Sequence, residues 1–153
     1  MTAYGSMEGA PADPEPVYRT LSPADYPGIR GLLLADSPDL SESDSEERVS
    51  AFLDRNRDYC FGALVGDRLV GMIMCGCDGR SARIYHLIVV PEWRRRGVAH
   101  TLIGRAYGAL KDEGIGVMDV IVFREAPGAE FWDSEGFRDR SDLAYRDFAI
   151  DDI

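Results

Sequence analysis

The run Leu87-Ile88-Val89-Val90, stopped by Pro91, constrains this chain more than any other feature. A continuous, mostly β-branched run reads as a central strand covered on both faces, because a strand with one wet face alternates apolar and polar residues. Glu92-Trp93-Arg94-Arg95-Arg96 then forms a basic turn, and a helix is predicted from about Gly97 to Glu113. Its residues Val98, Leu102, Ile103, Ala106 and Leu110 keep helical spacing, and Gly114 supplies the break. Such a strand–turn–helix aims several backbone N–H groups, at the positive end of a helix dipole, towards one point. Gly97 lets an anion approach the backbone where a Cβ would obstruct it, and small Ala99 keeps the first helical turn open. The turn has neither the G-x-x-x-x-G-K-[ST] nor the G-x-G-x-x-G pattern, so it is not a P-loop or a dinucleotide fingerprint.

Charge sharpens this reading. The chain carries a net charge of −10 over 153 residues, yet between Arg80 and Lys111 seven basic residues face Glu92 alone. An anion site within an acidic protein is implied. The acidic whole argues against nucleic acid as a partner, since phosphate backbones need a basic surface. No apolar run approaches the roughly 20 residues that span a bilayer, and Met1–Pro16 has no basic start or apolar stretch of a secretory signal. Cys60, Cys75 and Cys77 form an odd set without zinc or disulfide spacing, so reduced, buried thiols in the cytoplasm and no metal are expected.

The remaining elements follow from local signals. Residues 1–16, small and Pro-rich, read as a disordered tail, and 17–153 as one domain. Val17–Leu21 alternates like a strand, and Ser22-Pro23 opens a first helix. Ser43-Asp44-Ser45-Glu46 reads as the capping box of a second, with Val49, Phe52 and Leu53 as its buried stripe. Tyr59–Val65 and Leu69–Cys77 are strands joined at Gly66-Asp67, and Asp78-Gly79 turns into Ala82–Val90. A strand Val117–Phe123, a short helix near Pro127–Glu135 and closing strands Phe137–Arg140 and Leu143–Ile150 complete a mixed α/β domain.

The string V-x-P-x-W-R-x-x-G-x-A, between a central strand and a helix, resembles the acetyl-CoA signature [RQ]-x-x-G-x-[GA] of the GNAT N-acyltransferase superfamily. Phe131-Trp132-Asp133-Ser134-Glu135-Gly136-Phe137 resembles that family's later [FL]-Y-x-x-x-G-F element. The resemblance implies a mostly antiparallel sheet of about seven strands, helices on both faces and a splayed V between Ala82–Val90 and Val117–Phe123. It implies acetyl-CoA as cosubstrate, with Arg94, Arg95, Arg96, Gly97, Val98, Ala99 and His100 matching the pyrophosphate turn. Leu87, Ile88 and Val89 match the strand end that pairs with the pantetheine arm and orients the acetyl carbonyl. The implied reaction is acetyl transfer to a primary amine by direct attack on the thioester. The alternative is a GNAT-fold module that holds acyl-CoA without turning it over.

Two residues depart from the family pattern. Trp132 occupies the position of the general-acid Tyr, and an indole can only hydrogen-bond. Glu125 stands where the family often has Asn. Strand alternation puts Arg83, Tyr85, Leu87 and Val89 on one face, and Ile84, His86, Ile88 and Val90 on the other. The resemblance makes the first set substrate-facing, so Tyr85 is the candidate proton relay, His86 a packed residue under a helix, and Asp119 a further candidate base. The expected partners are a small-molecule or peptide amine, with no nucleic acid and no membrane, and a homodimer is the assembly allowed for. The acceptor is expected to lie between Leu34–Asn56 and the last hairpin. Acidic surroundings favour a cationic amine.

Overall fold

The computed structural model describes residues 14–150, so the expected disordered tail lies almost wholly outside the described residues. Backbone contacts divide the chain into two units, residues 1–120 and 121–153. The first unit holds a five-stranded sheet in the order β1-β2-β3-β4-β5. Its strands are β1 (Val17–Thr20), β2 (Phe61–Val65), β3 (Arg68–Cys77), β4 (Ala82–Val89) and β5 (Met118–Val120). All neighbours pair antiparallel except β4 and β5, which run parallel. Gly66, at φ 62°, makes the two-residue hairpin between β2 and β3 that its sequence predicts.

Helices cover both faces of this sheet. Helix α1 (Tyr26–Asp36) and helix α2 (Glu46–Arg55) lie on one face, and helix α3 (Val98–Asp112) lies on the other. Two glycines of β3 locate these faces. A Cβ on Gly71 would meet Val98 and Leu102 of α3, whereas a Cβ on Gly76 would meet Phe52 of α2 at 3.0 Å. Between the layers, Ile29, Leu53, Met72, Ile73 and Leu102 are fully buried. The predicted stripe of α3 is therefore buried, as are Val49 and Leu53 of α2, while Phe52 is only half-buried. Asn56, buried just beyond α2, fastens that helix to the sheet: its Oδ1 accepts from Cys77 N at 2.8 Å and its Nδ2 donates to Phe52 O. Both polar ends of this buried amide are satisfied.

Four expectations need correction. The N-cap of α2 is Ser45, whose Oγ accepts from Arg48 N, and not Ser43, because a preceding 3-10 turn at Glu42–Asp44 uses Ser41 as its own cap. Strand β5 covers three residues, not the seven of Val117–Phe123, and pairs only with Ala82, Arg83 and Ile84. Among the described residues no strand pairs with that edge of β4 beyond Ile84, which is the splay expected between these strands. Among the described residues, Phe137–Arg140 and Leu143–Ile150 form no strand, so the sheet has five strands where about seven were expected. Those segments form no backbone ladder, and pairing is what makes a strand.

The fourth correction concerns β4 itself. Met74 pairs with His86 and Cys75 with Ile84, so Tyr85 is an extra residue, a β-bulge. A bulge interrupts side-chain alternation. Met74 and Gly76 share one face of β3, and Tyr85 closes over Gly76, its Cε2 2.9 Å from where a Cβ would stand. His86, opposite Met74, therefore shares a face with Tyr85 instead of lying behind it.

In the second unit, helix α4 (Ala129–Ser134) is closed by Gly136 at φ 92°, with Phe137 N donating to Trp132 O. Trp132 is stacked edge-on by Phe131 and Phe137, with centroids 5.3 and 5.0 Å away.

Candidate active site

Two features of the first unit meet at β4. The first is the turn after the strand. Arg95 (φ 61°) and Gly97 (φ 82°) both adopt the left-handed conformation, which no other described non-glycine residue takes. This places left-handed residues just before the N-terminus of α3, whose first N–H groups have no acceptor within the helix. The first bond that closes the helix is Thr101 N to Gly97 O, at 3.0 Å. A Cβ built on Gly97 would meet nothing within 4 Å, so the space in front of this turn is open to a ligand. Alternating backbone signs at a helix N-terminus make a concavity of N–H groups suited to an anion.

The three arginines of the turn are not equivalent. Arg94 folds back, its Nε donating to Val89 O at 2.9 Å, and so braces the end of β4 against the turn. Arg96 lies over the Trp93 ring, 4.6 Å from its centroid. Arg95 is exposed. The predicted pyrophosphate residues Arg94 to His100 are thus brought together, but only Arg95 and Arg96 present charge away from the strand end. Leu87, Ile88 and Val89 lie immediately before them on the partnerless edge of β4, where backbone groups remain for an incoming ligand to pair with.

The second feature is a cleft of about 760 Å³ between α2 and the β3–β4 face. Its lining includes Tyr85, His86, Asp44, Phe52 and Asp119. Tyr85 stands 57% exposed, its ring edge-on to Phe52 at 5.5 Å. His86 Nε2 lies 3.7 Å from Asp44 Oδ1. Asp44 is itself fixed, because its Oδ2 accepts from Ser41 N and Ser41 Oγ, and its carbonyl accepts from Tyr26 Oη at 2.8 Å. Burial lowers the His86 pKa below that of an ordinary imidazole, while Asp44 and Asp36 pull it back up. Burial thus favours the neutral ring, the form able to accept a proton.

Asp119 does not share this freedom. Both its carboxylate oxygens are held by Arg83, at 2.8 and 3.2 Å, which makes it a structural partner and not a poised base. The thiols of Cys60 and Cys75 are pushed up to about 12 by burial, so neither is a thiolate. Cys77 also lines the cleft, but opposite Ala82. That is five residues from Leu87, about 16 Å along the strand. Among the described residues no group of His, Cys, Asp and Glu gathers as metal ligands, and no helix is long and apolar enough to cross a membrane.

A family model described as an acetyltransferase (GNAT) domain matches residues 39–149. The chain belongs to the GNAT acetyltransferase family. It is 34% identical over 80 residues to an acetyltransferase of Sodalis glossinidius, a match covering 52% of this chain and 56% of that protein. It is 31% identical over 94 residues to an uncharacterized N-acetyltransferase of Methanocaldococcus jannaschii, covering 56% and 42% of the two chains. These matches span only about half the length of the curated relatives. Among solved structures, AAC(6')-Iy in complex with a CoA-containing bisubstrate analog superposes with a TM-score of 0.72 at 19% identity, covering 89% of this chain and 100% of that one. An aminoglycoside acetyltransferase from an uncultured soil sample, in complex with sisomicin, gives a TM-score of 0.74 at 20% identity, covering 88% and 96%. At such identities the likeness establishes a shared GNAT fold.

Sequence reasoning located the turn and missed the His86–Asp44 pair, because it assumed unbroken alternation in β4. The available signal was the polar pair Tyr85-His86 standing side by side in an apolar strand, as a bulge allows.

Proposed function

We propose that this GNAT protein transfers an acetyl group from acetyl-CoA to a primary amine by direct attack. The observation that carries the reading is that the anion-binding turn, the open edge of β4 and the His86 cleft are continuous along one strand. The residues fit the cosubstrate: the turn with Arg95 and Gly97 suits a pyrophosphate, and the partnerless edge at Leu87–Val89 suits an amide-bearing arm. Acetyl-CoA supplies the thioester whose C–S bond breaks as the amine nitrogen bonds to the carbonyl carbon. Backbone N–H groups at the end of β4 polarise that carbonyl as negative charge develops. His86 takes the proton released by the amine, with Asp44 holding the ring and stabilising the imidazolium. Tyr85, beside His86 on the bulge, lines the acceptor's path and can link the base to solvent through water. A covalent route through cysteine is disfavoured, since two thiols are buried and the third lies far down the strand.

Trp132 takes the place of the general-acid Tyr in the family motif, where an indole can offer one hydrogen bond and no readily transferred proton. A thiol of pKa near 8.5 leaves tolerably as thiolate near neutral pH. Trp132→Phe is therefore expected to change kcat by less than about tenfold, the loss of one modest hydrogen bond. A collapse of turnover with acetyl-CoA affinity intact would make the indole essential.

Charge at the turn gives a second expectation. Acetyl-CoA affinity should fall as salt screens the arginines. Arg95→Gln with Arg96→Gln should flatten that dependence, whereas adding Arg94→Gln should change the slope little, because Arg94 is spent on Val89 O. An unchanged slope in the double variant would mean that backbone N–H groups alone hold the phosphates. The overall reading is tested by measuring CoA thiol release across an amine panel alongside acetyl-CoA binding. Tight binding without turnover of any amine would favour the acyl-CoA-binding alternative.

A further inference from the structure

The net charge of −10 describes the whole surface, whereas the cleft holds a balanced set of charges. Its lining contains three carboxylates, Asp44, Asp78 and Asp119, and three guanidinium groups, Arg48, Arg55 and Arg83. The carboxylates are all engaged. Asp119 is clasped by Arg83, Asp78 accepts from Arg80 N and Ser81 N at 2.8 and 2.9 Å, and Asp44 is held by Ser41 beside His86. Arg48 and Arg55 differ. Neither guanidinium makes an ion pair or side-chain hydrogen bond among the described residues, and both are exposed. They lie seven residues apart on α2, hence on one face of the helix, with Phe52 between them turned into the cleft. Hydrogen bonds from neutral donors leave Asp44 and Asp78 their charge, so the lining is balanced overall, with its unpaired guanidinium groups at Arg48 and Arg55.

We infer that the acceptor is an amine that also carries a carboxylate, its amine lying at His86 and its carboxylate on Arg48 or Arg55. The inference rests on the acetyl-transfer reading and names the substrate class for it. A guanidinium presents a planar fork of donors that matches a carboxylate in two parallel hydrogen bonds. The order along the cleft fits such a molecule. Asp44 and His86 mark the N-terminal end of α2, Arg48 follows one turn on, and Arg55 lies about 10 Å further along the axis. Phe52 offers an apolar wall for the carbon chain that joins the two polar ends. A polyamine or aminoglycoside would instead bring further positive charge against two unpaired arginines.

The test is a matched series. Straight-chain ω-amino acids of increasing length are compared with their terminal amides, with a polyamine and an aminoglycoside as cationic references, by acetyl-CoA-dependent thiol release. At the best chain length the acid should exceed its amide at least tenfold in kcat/KM and should also exceed both cationic references. In Arg48→Gln/Arg55→Gln the acid-to-amide ratio should fall to about one, and in Arg48→Glu/Arg55→Glu it should invert. Circular dichroism and melting confirm that both variants fold. Amides or cations used as well as acids by the parent protein would overturn the inference while leaving acetyl transfer standing. If no amine is turned over, calorimetric binding of the same acid and amide to the CoA-saturated protein separates the two claims. Tighter binding of the acid, lost in the Gln variant, upholds the carboxylate site although acetyl transfer fails, and equal binding overturns it.

Discussion

His86→Gln is expected to lower kcat/KM by about 10²–10⁴-fold, the usual worth of a positioned general base, with acetyl-CoA affinity little changed. The expectation carries a pH signature. Only the neutral imidazole accepts a proton, and burial of His86 moves its pKa below the ordinary 6.5. In the parent protein kcat/KM should therefore rise with pH along a limb centred below 6.5, and activity should fall as pH drops through it. The groups that set this limb are Asp44 and Asp36, both of which raise the pKa. Tyr85, Ser43 and Arg48 line the cleft with His86 and Asp44. Asp44→Asn removes the nearest counter-charge, so its limb should shift to still lower pH. In His86→Gln the limb should vanish, a result that a merely structural histidine would not give. Tyr85→Phe should cost more than Trp132→Phe and less than His86→Gln. A pH profile unchanged by His86→Gln would remove His86 from the proton path.

Gly97→Val is expected to weaken acetyl-CoA binding about a hundredfold or more, the worth of one or two charge-assisted hydrogen bonds from backbone N–H groups. The reason is conformational before it is steric. Gly97 sits at φ 82°, where a β-branched residue is strained, while the space before it is empty. Relief of that strain would rotate the peptide groups that define the turn. The strain costs about 1–2 kcal/mol, and the packing of Val98 and Leu102 over Gly71 lies on the other side of the helix start, so the variant should fold with a modestly lower Tm. Gly97→Ala separates the causes. If backbone geometry matters, the small alanine should also weaken binding, and if only bulk matters it should not.

These two residues show how unevenly the site was legible. Gly97 was readable because its signal is local: a strand stopped by Pro91, a basic turn, a small residue at Ala99 and an apolar stripe from Val98 to Leu110. Such a unit is built by contacts close in sequence, and the anion site proposed for it rests on backbone geometry that the pattern dictates. His86 was not readable. Its face depends on Tyr85 being looped out against β3, and a bulge is a property of two strands in register. Its partner Asp44 comes from a 3-10 turn more than 40 residues earlier, in a serine-rich stretch where several capping residues compete. Choosing Ser45 over Ser43 starts α2 two residues later and leaves Asp44 in the 3-10 turn, where its carboxylate stands beside His86.

Charge was legible only as a total for a related reason. The acidic total describes the whole surface, whereas a ligand meets the charges left unpaired where it binds. Asp119 looked like a base in the sequence because Arg83 sits 36 positions away, on the adjacent parallel strand. The closing segments failed differently. Leu143 to Ile150 has the apolar and aromatic residues of a strand, but composition names no partner, and no ladder forms there among the described residues.

The central claim is acetyl transfer to an amine at the cleft beside β4, and the most direct measurement is product stoichiometry. The protein is incubated with acetyl-CoA and a carboxylate-bearing amine, and mass spectrometry counts acetylated amine against released CoA. One acetylated amine should appear per CoA in the parent protein, with both falling together in His86→Gln and in Gly97→Val. Acetyl-CoA bound tightly with no acetylated amine from any acceptor, or CoA released without an acetylated product, would contradict the account.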